Sequence, residues 1–293
     1  MSLYSTLKFI ANHPLNGNNK LGTIIRFFKW QINTRLNPYP ILYQYTTKSK
    51  LIIEKGMTGA TGNLYCGLHE FNDMAFVLHF LRPDDLFVDI GANIGSYTIL
   101  GAVHVGSKTI SIEPVPSTFS KLLNNISINN AQNNVIAKNI ALGSKKENVA
   151  FTKSLDTTNH VATASDKDII EVNVETLDEL LSNNITPSLM KIDVEGFETE
   201  VIKGALKTLN NHSLKAIIIE LNGSGKRYGY DELEIHKTLL ANGFIPYLYE
   251  PFNREIIKME GFGTQNTIYI RDIQFVNERL KGAEKIEILK HTF

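Results

Sequence analysis

An apolar run that leads into two closely spaced glycines constrains this chain more than any other feature. Residues 87–98 read FVDIGANIGSYT. A strand, a tight glycine turn and the start of a helix, in that order, are typical of α/β folds that bring their backbone close to a nucleotide. A dinucleotide-binding turn has glycine at its first, third and sixth positions, which here hold Gly91, Asn93 and Ser96. This glycine spacing argues against an enzyme that binds a nicotinamide dinucleotide.

The turn resembles a different nucleotide motif. Residues 89–95 follow the pattern Asp-x-Gly-x-Asn-x-Gly, which is similar to the first motif of methyltransferases that use S-adenosylmethionine (SAM). In that motif the turn faces the methionine end of SAM, and no pyrophosphate has to be bound. The resemblance implies SAM as the cofactor and Asp89, Gly91, Asn93 and Gly95 as residues that bind it. Asp89 would reach the amino group of SAM or hydrogen-bond the turn.

Strands and helices alternate along most of the chain, which predicts an α/β fold with a mainly parallel sheet of about seven strands and helices on both faces. The predicted strands of the sheet are 86–90, 109–112, 135–140, 189–192, 216–221, 244–249 and 267–270. The predicted helices are 71–80, one that begins near Ser96, 117–129, 176–181, 199–209 and 231–241. Two further strands, 148–153 and 169–174, flank the irregular segment 154–167, which we expect to shape a substrate pocket.

The remaining stretches divide the chain into three predicted segments. Residues 1–49 form a helical or irregular extension, 50–271 the main domain, and 272–293 a tail that is either a charged helix or loosely held. Glycines punctuate residues 57–70, which we therefore expect to be a loop or a short hairpin.

Composition excludes several classes of protein. Thirty basic and thirty acidic residues cancel, so no overall field attracts nucleic acid, and we expect no nucleic-acid partner. The single cysteine, Cys66, can form neither an internal disulfide nor a thiolate zinc cluster, which fits the reducing cytoplasm. No apolar run is long enough to cross a membrane. We therefore expect a cytoplasmic protein without a transmembrane segment.

One segment of the extension is amphipathic. Residues 23–32 combine apolar side chains with Arg26, Lys29 and Trp30. The pattern favours a helix that packs on the domain or forms a homodimer. The alternative is a helix that rests on the inner face of a membrane.

Glu113 ends the second predicted strand of the sheet, 22 residues after Gly91. A carboxylate at this place can accept hydrogen bonds from both hydroxyls of a ribose, as an acidic residue does in dinucleotide-binding folds. Pro114 and Pro116 stiffen the loop that follows. Glu113 is thus the predicted ribose-binding residue, and a surface glutamate is the alternative.

Charged side chains cluster after the fourth strand. Lys191, Asp193 and Glu195 alternate, so they share one face if the strand continues. Such proximity perturbs pKa values in the way that catalytic groups require. We expect Asp193 to hold the SAM amino group or to accept a proton from the acceptor, and Glu195 to assist. A surface ion-pair cluster is the alternative.

An oxygen-only set beside this cluster raises the question of a metal. Glu220 and Asn222 finish the next strand, and with Asp193 they would suit Mg²⁺. We regard Mg²⁺ as possible and predict no metal site. Otherwise Glu220 and Asn222 bind substrate or cap a turn.

Two histidines are candidate bases. His69 precedes the first strand of the sheet but could fold over the cofactor site, and His160 lies in the irregular segment. An imidazole near its ordinary pKa can accept a proton from a hydroxyl. For each histidine the alternative is an ordinary polar loop residue.

Together these motifs resemble the FkbM-type family of SAM-dependent methyltransferases. The resemblance rests on residues 87–98, 112–114, 175–178 and 191–198, and covers about residues 50–271. It implies a class I methyltransferase fold and transfer of a methyl group to a hydroxyl, often of a sugar, polysaccharide or polyketide. An N-methyltransferase acting on a small molecule and a non-catalytic SAM-binding partner subunit are the alternative functions.

Overall fold

The computed structural model describes residues 3–17, 19–181 and 186–293. Its main feature is an eight-stranded sheet, and the first predicted strand of the sheet is one of its inner strands. The strands are β1 (Ile41–Gln44), β2 (Lys50–Ile53), β3 (Leu86–Ile90), β4 (Lys108–Ile112), β5 (Val135–Lys138), β6 (Ala141–Leu142), β7 (Glu147–Thr152), β8 (Ile169–Glu175), β9 (Leu189–Ile192), β10 (Ala216–Glu220), β11 (Ile245–Glu250), β12 (Glu255–Lys258), β13 (Asn266–Ile270), β14 (Glu287–Ile288) and β15 (His291–Thr292).

The helices of the described residues alternate with these strands over the main domain. They are α1 (Leu3–Asn12), α2 (Lys20–Leu36), α3 (Thr58–Cys66), α4 (Phe71–Phe80), α5 (Ser96–Ile99), α6 (Pro116–Ile128), α7 (Leu177–Leu180), α8 (Glu198–Lys203), α9 (Leu206–Asn210), α10 (Glu232–Ala241) and α11 (Ile273–Lys281). A π-helical stretch, Leu100–Val105, continues α5, and short 3₁₀ turns lie at Pro14–Asn16, Asp156–Thr158 and Ser224–Tyr228.

The large sheet has the order β12-β11-β13-β10-β9-β3-β4-β5. Strands β10, β9, β3, β4 and β5 are parallel to their neighbours in that series, and β13 is antiparallel to β10 and β11. The central strands are almost wholly apolar because helices cover both faces of the sheet. Their carboxyl ends meet at one edge, where folds of this kind bind ligands. The predicted α/β architecture is confirmed.

The sheet has one strand more than predicted. β12 pairs with β11 as an antiparallel edge hairpin, with Tyr247 opposite Lys258. Its four residues, EIIK, are mostly exposed and too few to show a clear alternation of apolar and polar side chains.

Residues 57–70 do not form the predicted loop or hairpin. They contain α3, a helix despite its glycines, because one side of it is buried against the domain through Ala60, Asn63 and Cys66. Gly62 has a packing role: a Cβ atom there would lie 2.3 Å from Nδ1 of His69. Tertiary packing thus overrides the low helix propensity of glycine.

The predicted helix 199–209 is two helices, α8 and α9. The chain bends at Gly204, where a Cβ atom would lie 2.0 Å from the carbonyl oxygen of Gly143. The carbonyl oxygen of Gly204 accepts a hydrogen bond from the N–H of Asp178 (3.0 Å), and the Asp178 carboxylate accepts from the first N–H groups of α9, so a second helix starts here.

The two strands that flank the irregular segment form a separate small sheet. β7 pairs antiparallel with β8, and β6 lies on the other side of β8. The irregular segment between β7 and β8 is fastened to its surroundings by two hydrogen bonds. The backbone N–H of Thr58 donates to Asp156 (2.8 Å), and the Tyr228 hydroxyl donates to the carbonyl oxygen of Val161 (2.7 Å).

Both ends of the described chain pack on the domain. Phe27 and Trp30 of α2 belong to the same hydrophobic cluster as the helices beside the sheet. In α11, Val276 and Leu280 are fully buried, and Arg279 forms an ion pair with Asp85. The tail is therefore the predicted charged helix followed by the hairpin β14–β15, and the alternative of a loosely held end is wrong. Among the helices within the described ranges, none has the length and apolar character needed to cross a bilayer.

Candidate active site

A cavity of about 300 Å³ lies at the carboxyl ends of the central parallel strands. The predicted site residues that line it are His69, Asp89, Gly91, Asn93, Glu113, Asp193 and Glu195. Gly95 does not line it. The fold thus brings together residues that lie more than a hundred positions apart in the sequence.

The glycine turn is locked to the neighbouring strand end. A Cβ atom on Gly91, whose φ is +79°, would lie 1.8 Å from the carbonyl oxygen of Asp193. The N–H of Asp193 donates to the carbonyl oxygen of Ile90 (3.0 Å), and the N–H of Gly91 donates to that of Ile112 (3.0 Å). Only glycine allows this approach, which fixes the relative position of the turn and Asp193.

The second glycine serves the helix that follows the turn. Gly95 has φ +93°, and a Cβ atom there would lie 2.5 Å from Leu122 of α6. Asn93 adopts φ +51°, and its side-chain oxygen accepts a hydrogen bond from the N–H of Ile94 (2.8 Å). Gly95 therefore acts through packing, whereas Asn93 lies at the cavity.

Glu113 is held rigidly. Its side chain is 6% exposed and accepts hydrogen bonds from the N–H groups of Asn93 (3.0 Å) and Val115 (2.9 Å). Burial raises the pKa of Glu113 to about 7, although these two donors favour the charged form. Each carboxylate oxygen still has a lone pair for a ligand hydroxyl.

Asp89 presents a buried oxygen without a hydrogen-bond partner. The residue is 1% exposed, and its Oδ2 accepts a hydrogen bond from the Thr98 hydroxyl (2.7 Å). Its Oδ1 is buried and has no partner among the described residues. Burial raises the pKa of Asp89, against the effect of the nearby Lys191 ammonium. An unsatisfied buried carboxylate oxygen is costly, so this geometry calls for a donor from a ligand.

Among the described residues that line the cavity, Lys191 is the one lysine, and there is no arginine. Its ammonium donates to Asp193 (2.6 Å) and lies 4.6 Å from the centre of the Tyr97 ring. Burial alone would lower the pKa of Lys191, but the charges of Asp193, Glu70 and Asp89 outweigh that effect and raise it. Lys191 therefore stays charged and holds Asp193 in place.

Three carboxylates converge beside this pair. Oxygens of Asp193, Glu195 and Glu220 lie within 4.8 Å of one another. Burial, together with the charges of Asp193 and Glu198, raises the pKa of Glu195 to about 7. Burial, together with the charges of Asp193 and Glu195, likewise raises the pKa of Glu220. Asn222 was a possible Mg²⁺ ligand with Asp193 and Glu220 in the sequence analysis. Its side-chain oxygen instead accepts hydrogen bonds from the backbone N–H (2.9 Å) and the hydroxyl of Ser224. The oxygen-only set at this edge is thus Asp193, Glu195 and Glu220.

The two candidate histidines have different positions. His69 lines the cavity, and burial lowers its pKa, so the ring is neutral near pH 7. Its backbone N–H donates to Asn63 (2.8 Å), which orients the residue. His160 does not line the cavity; its Nδ1 lies 2.7 Å from the carbonyl oxygen of Thr158, and its Nε2 lies 3.5 Å from Asp166. His160 fastens the irregular segment.

Glu70, which the sequence places beside His69, and Glu198, the last residue of the motif after the fourth strand, make contacts that no sequence pattern predicted. Glu70 accepts hydrogen bonds from the Tyr97 hydroxyl (2.8 Å) and from Asn266 (2.9 Å), which comes from the far end of the chain. Glu198 is buried and accepts hydrogen bonds from the N–H groups of Val194 (3.0 Å) and Gly196 (3.1 Å). Only the fold shows these contacts, although Tyr97 and Glu198 both lie within the motifs already noted.

The residues present fit SAM. The cavity wall carries more carboxylates than cations, and SAM bears a sulfonium and an ammonium group, so the charges are complementary. Asp89 offers a free acceptor for an ammonium, and Glu113 offers acceptors for ribose hydroxyls. The backbone of the turn at Gly91 packs directly on that of Asp193, which fixes the acidic groups of the donor site relative to one another.

Known proteins support this fit at the level of family. Hexuronic acid methyltransferase AglP of Haloferax volcanii is 28% identical over 165 residues, which is 56% of this chain and 64% of that protein. Methyltransferase 1 of Beauveria bassiana is 30% identical over 148 residues, 42% of this chain and 59% of that protein. The chain therefore spans less than two thirds of the length of both relatives.

Among solved structures, methyltransferase FkbM from Methylobacillus flagellatus KT is similar with a TM-score of 0.46 and 17% identity. The similarity covers 73% of this chain and 55% of that chain. Residues 89–246, more than half of the chain, match the methyltransferase FkbM domain. This match includes the glycine turn, Glu113 and the carboxylates around Asp193, and the chain accordingly belongs to the FkbM family of SAM-dependent methyltransferases.

Proposed function

We propose that the protein transfers a methyl group from SAM to a hydroxyl of a sugar-like acceptor. The observation that carries the donor half is the buried, unpartnered oxygen of Asp89 beside the rigid turn at Gly91. The acceptor half is supported by the relative that is named a hexuronic acid methyltransferase. SAM, when bound, supplies a methyl group on a positively charged sulfur, which is an excellent leaving group.

On the donor side, Asp89 would accept a hydrogen bond from the SAM ammonium through Oδ1, and Glu113 would accept from the ribose hydroxyls. Gly91 and Asn93 would form the wall against which the methionine part rests. The N–H groups of Gly91 and Glu113 donate to carbonyl oxygens at neighbouring strand ends, and the N–H of Asn93 donates to the Glu113 carboxylate. Asp89 is paired on both sides within the sheet. Little reorganisation is therefore needed on binding. This preorganisation supports a binding role for these residues.

On the acceptor side, the proton of the attacking hydroxyl needs a destination. Burial lowers the pKa of His69, so its ring is neutral, and a neutral imidazole has one nitrogen that can accept the proton. Asp193 is held by Lys191 through one oxygen and keeps the other for an acceptor hydroxyl. Glu195, whose pKa lies at about 7, would orient the acceptor or take up the proton in turn.

The donor assignment is tested by calorimetry with S-adenosylhomocysteine, the product form of the cofactor, and with NADH. We expect heat from the first ligand and none from the second. Glu113→Gln should weaken S-adenosylhomocysteine roughly 10- to 100-fold, because it removes a charged acceptor from the ribose. The exposed Glu255→Gln is the matched control and should bind as the wild type does. Unchanged affinity in Glu113→Gln would show that Glu113 does not bind the ribose.

The base assignment is tested by comparing two histidine variants on a hexuronic acid acceptor. His69→Ala should lower kcat by roughly 10²-fold or more and leave the affinity for S-adenosylhomocysteine unchanged. His160→Ala, a change outside the cavity lining, should keep kcat within about threefold of the wild type. Equal effects of the two changes would remove His69 from the proposed chemistry.

A further inference from the structure

Helix α2 has two apolar sides, and the residues that the structure describes cover one of them. On the inner side Phe27 and Trp30 are buried, and the Phe27 ring lies 5.2 Å from that of Tyr65 in α3. Arg26 adds hydrogen bonds to Asn16 (2.7 Å) and to the carbonyl oxygen of Tyr65 (2.9 Å). These contacts account for how α2 is attached to the domain, as the sequence predicted.

The opposite side of α2 forms a continuous exposed apolar stripe. It consists of Leu21 (71% exposed), Ile25 (45%), Phe28 (46%), Ile32 (57%) and Leu36 (80%). The spacing of four, three, four and four residues places these side chains on one face of a helix. At about 1.5 Å per residue the stripe is roughly 23 Å long. We call these five residues the outer stripe.

The charges around the outer stripe have one sign. Residues 1–53 contain seven basic residues and no acidic residue, whereas the rest of the chain has 23 basic and 30 acidic residues. At about 100° per residue, Lys29 and Arg35 lie on either side of the outer stripe. Both are exposed, and within the ranges that the structure describes neither forms an ion pair.

We propose that α2 binds the surface of an anionic membrane through the outer stripe, with Lys29 and Arg35 facing lipid phosphates. A helix with an apolar face flanked by cations matches the layered chemistry of a lipid interface, where acyl chains lie beneath anionic head groups. A second copy of this chain fits less well. Two outer stripes packed together would bring the cations of both copies close, and residues 1–53 offer no carboxylate to pair with them.

This surface is close to the candidate active site. The inner side of α2 packs on α3, and the first residues of α3, Thr58 and Gly59, line the cavity. A membrane bound to the outer stripe would thus be separated from the cavity wall by two layers of helix. Binding of the outer stripe to a membrane does not require the proposed methyl transfer.

The test is flotation of the full chain with vesicles of phosphatidylcholine containing about 30% phosphatidylglycerol, compared with vesicles of phosphatidylcholine alone. We expect binding to the anionic vesicles that falls steeply with added salt. Ile25→Ser/Ile32→Ser should weaken this binding about tenfold or more, because it removes apolar area from the bilayer. Lys29→Gln/Arg35→Gln should have an effect of similar size on anionic vesicles only.

The matched control changes two isoleucines of similar exposure elsewhere, Ile136 (57%) and Ile257 (49%), to serine. This variant should float as the wild type does. Circular dichroism of each variant shows that the fold is kept, which we expect because every changed side chain is exposed. Failure of the wild type to bind either kind of vesicle, or unchanged binding of Ile25→Ser/Ile32→Ser, would overturn the proposal. So would a dimer in sedimentation velocity that becomes monomeric only in Ile25→Ser/Ile32→Ser, since the outer stripe would then be a protein interface.

Discussion

Gly91 is the residue at which two strand ends touch. Its missing side chain lets the carbonyl oxygen of Asp193 occupy the space where a Cβ atom would stand, at 1.8 Å. The donor turn and the carboxylate cluster are therefore one rigid unit, and the position of one fixes the other. Side-chain chemistry at Asp89 and Glu113 depends on this backbone contact.

Replacement of this glycine tests the contact. Gly91→Ala should lower the free energy of unfolding by about 3–5 kcal/mol, since it adds a steric clash to the cost of a left-handed φ. Gly106→Ala is the control: Gly106 also has a positive φ, +88°, but nothing lies within 4 Å of the added atom. It should cost only about 1–2 kcal/mol. Chemical denaturation measures both, and equal losses would contradict the close approach at Gly91.

At the level of elements, the sequence predicted those whose signals are local. β3 and α4 were located from an apolar run and a periodic segment, and both have the expected bounds. The helix α3 was not predicted, because its glycines are compensated by contacts with His69 and the domain. The edge strand β12 and the break at Gly204 depend on partners distant in sequence. The hydrogen bond from Asn266 to Glu70 also joins residues that are distant in sequence, so the pattern of a single segment could not predict it.

The last hairpin of the described chain is an element with a structural role. Phe293 is 4% exposed, and its ring centre lies 5.0 Å from that of Phe71 and 5.4 Å from that of His79. Phe293→Ala should therefore lower the free energy of unfolding by about 3 kcal/mol through loss of buried area and creation of a cavity. Phe28→Ala, a change of a 46% exposed ring, should cost less than about 1 kcal/mol. A comparably small loss for Phe293→Ala would mean that the hairpin is not packed as described.

For the whole molecule, buried titratable groups act on stability in opposite directions. Burial lowers the pKa of His13 and of His104 to about 4, which favours folding as pH rises toward 6.5. Burial raises the pKa of Glu113 and of Glu195 to about 7, which has the contrary effect. The dependence of the unfolding free energy on pH is the sum of the contributions of all such groups. The difference between the wild type and a variant that lacks one group isolates the contribution of that group.

Glu195→Gln provides that difference. The folded pKa of Glu195, about 7, is above the ordinary value of 4.5 for a glutamate, so the native state binds more protons than the unfolded chain between these pH values. The contribution of Glu195 is therefore fully present below pH 4.5 and is lost as pH rises through 7. Relative to the wild type, Glu195→Gln should gain about 3 kcal/mol of unfolding free energy from pH 4.5 to pH 7.5. Urea denaturation across this range measures the gain, and parallel curves would show that Glu195 is not perturbed.

The separation of the small sheet from the large one has a consequence for how members of such a family diverge. The donor turn and the carboxylate cluster follow strands of the eight-stranded sheet, whereas Phe151 and Asn159, which also line the cavity, belong to β7 and the segment after it. Hydrogen bonds join the β7–β8 hairpin to α3 and to the loop after β10, and Phe151 packs in a small apolar cluster with Val115, which follows Glu113. The irregular segment between β7 and β8 contributes no strand to the eight-stranded sheet, so a change in that segment requires no change in the strand pairing of the sheet. We therefore expect that grafting the irregular segment between relatives changes the acceptor while SAM stays the methyl donor.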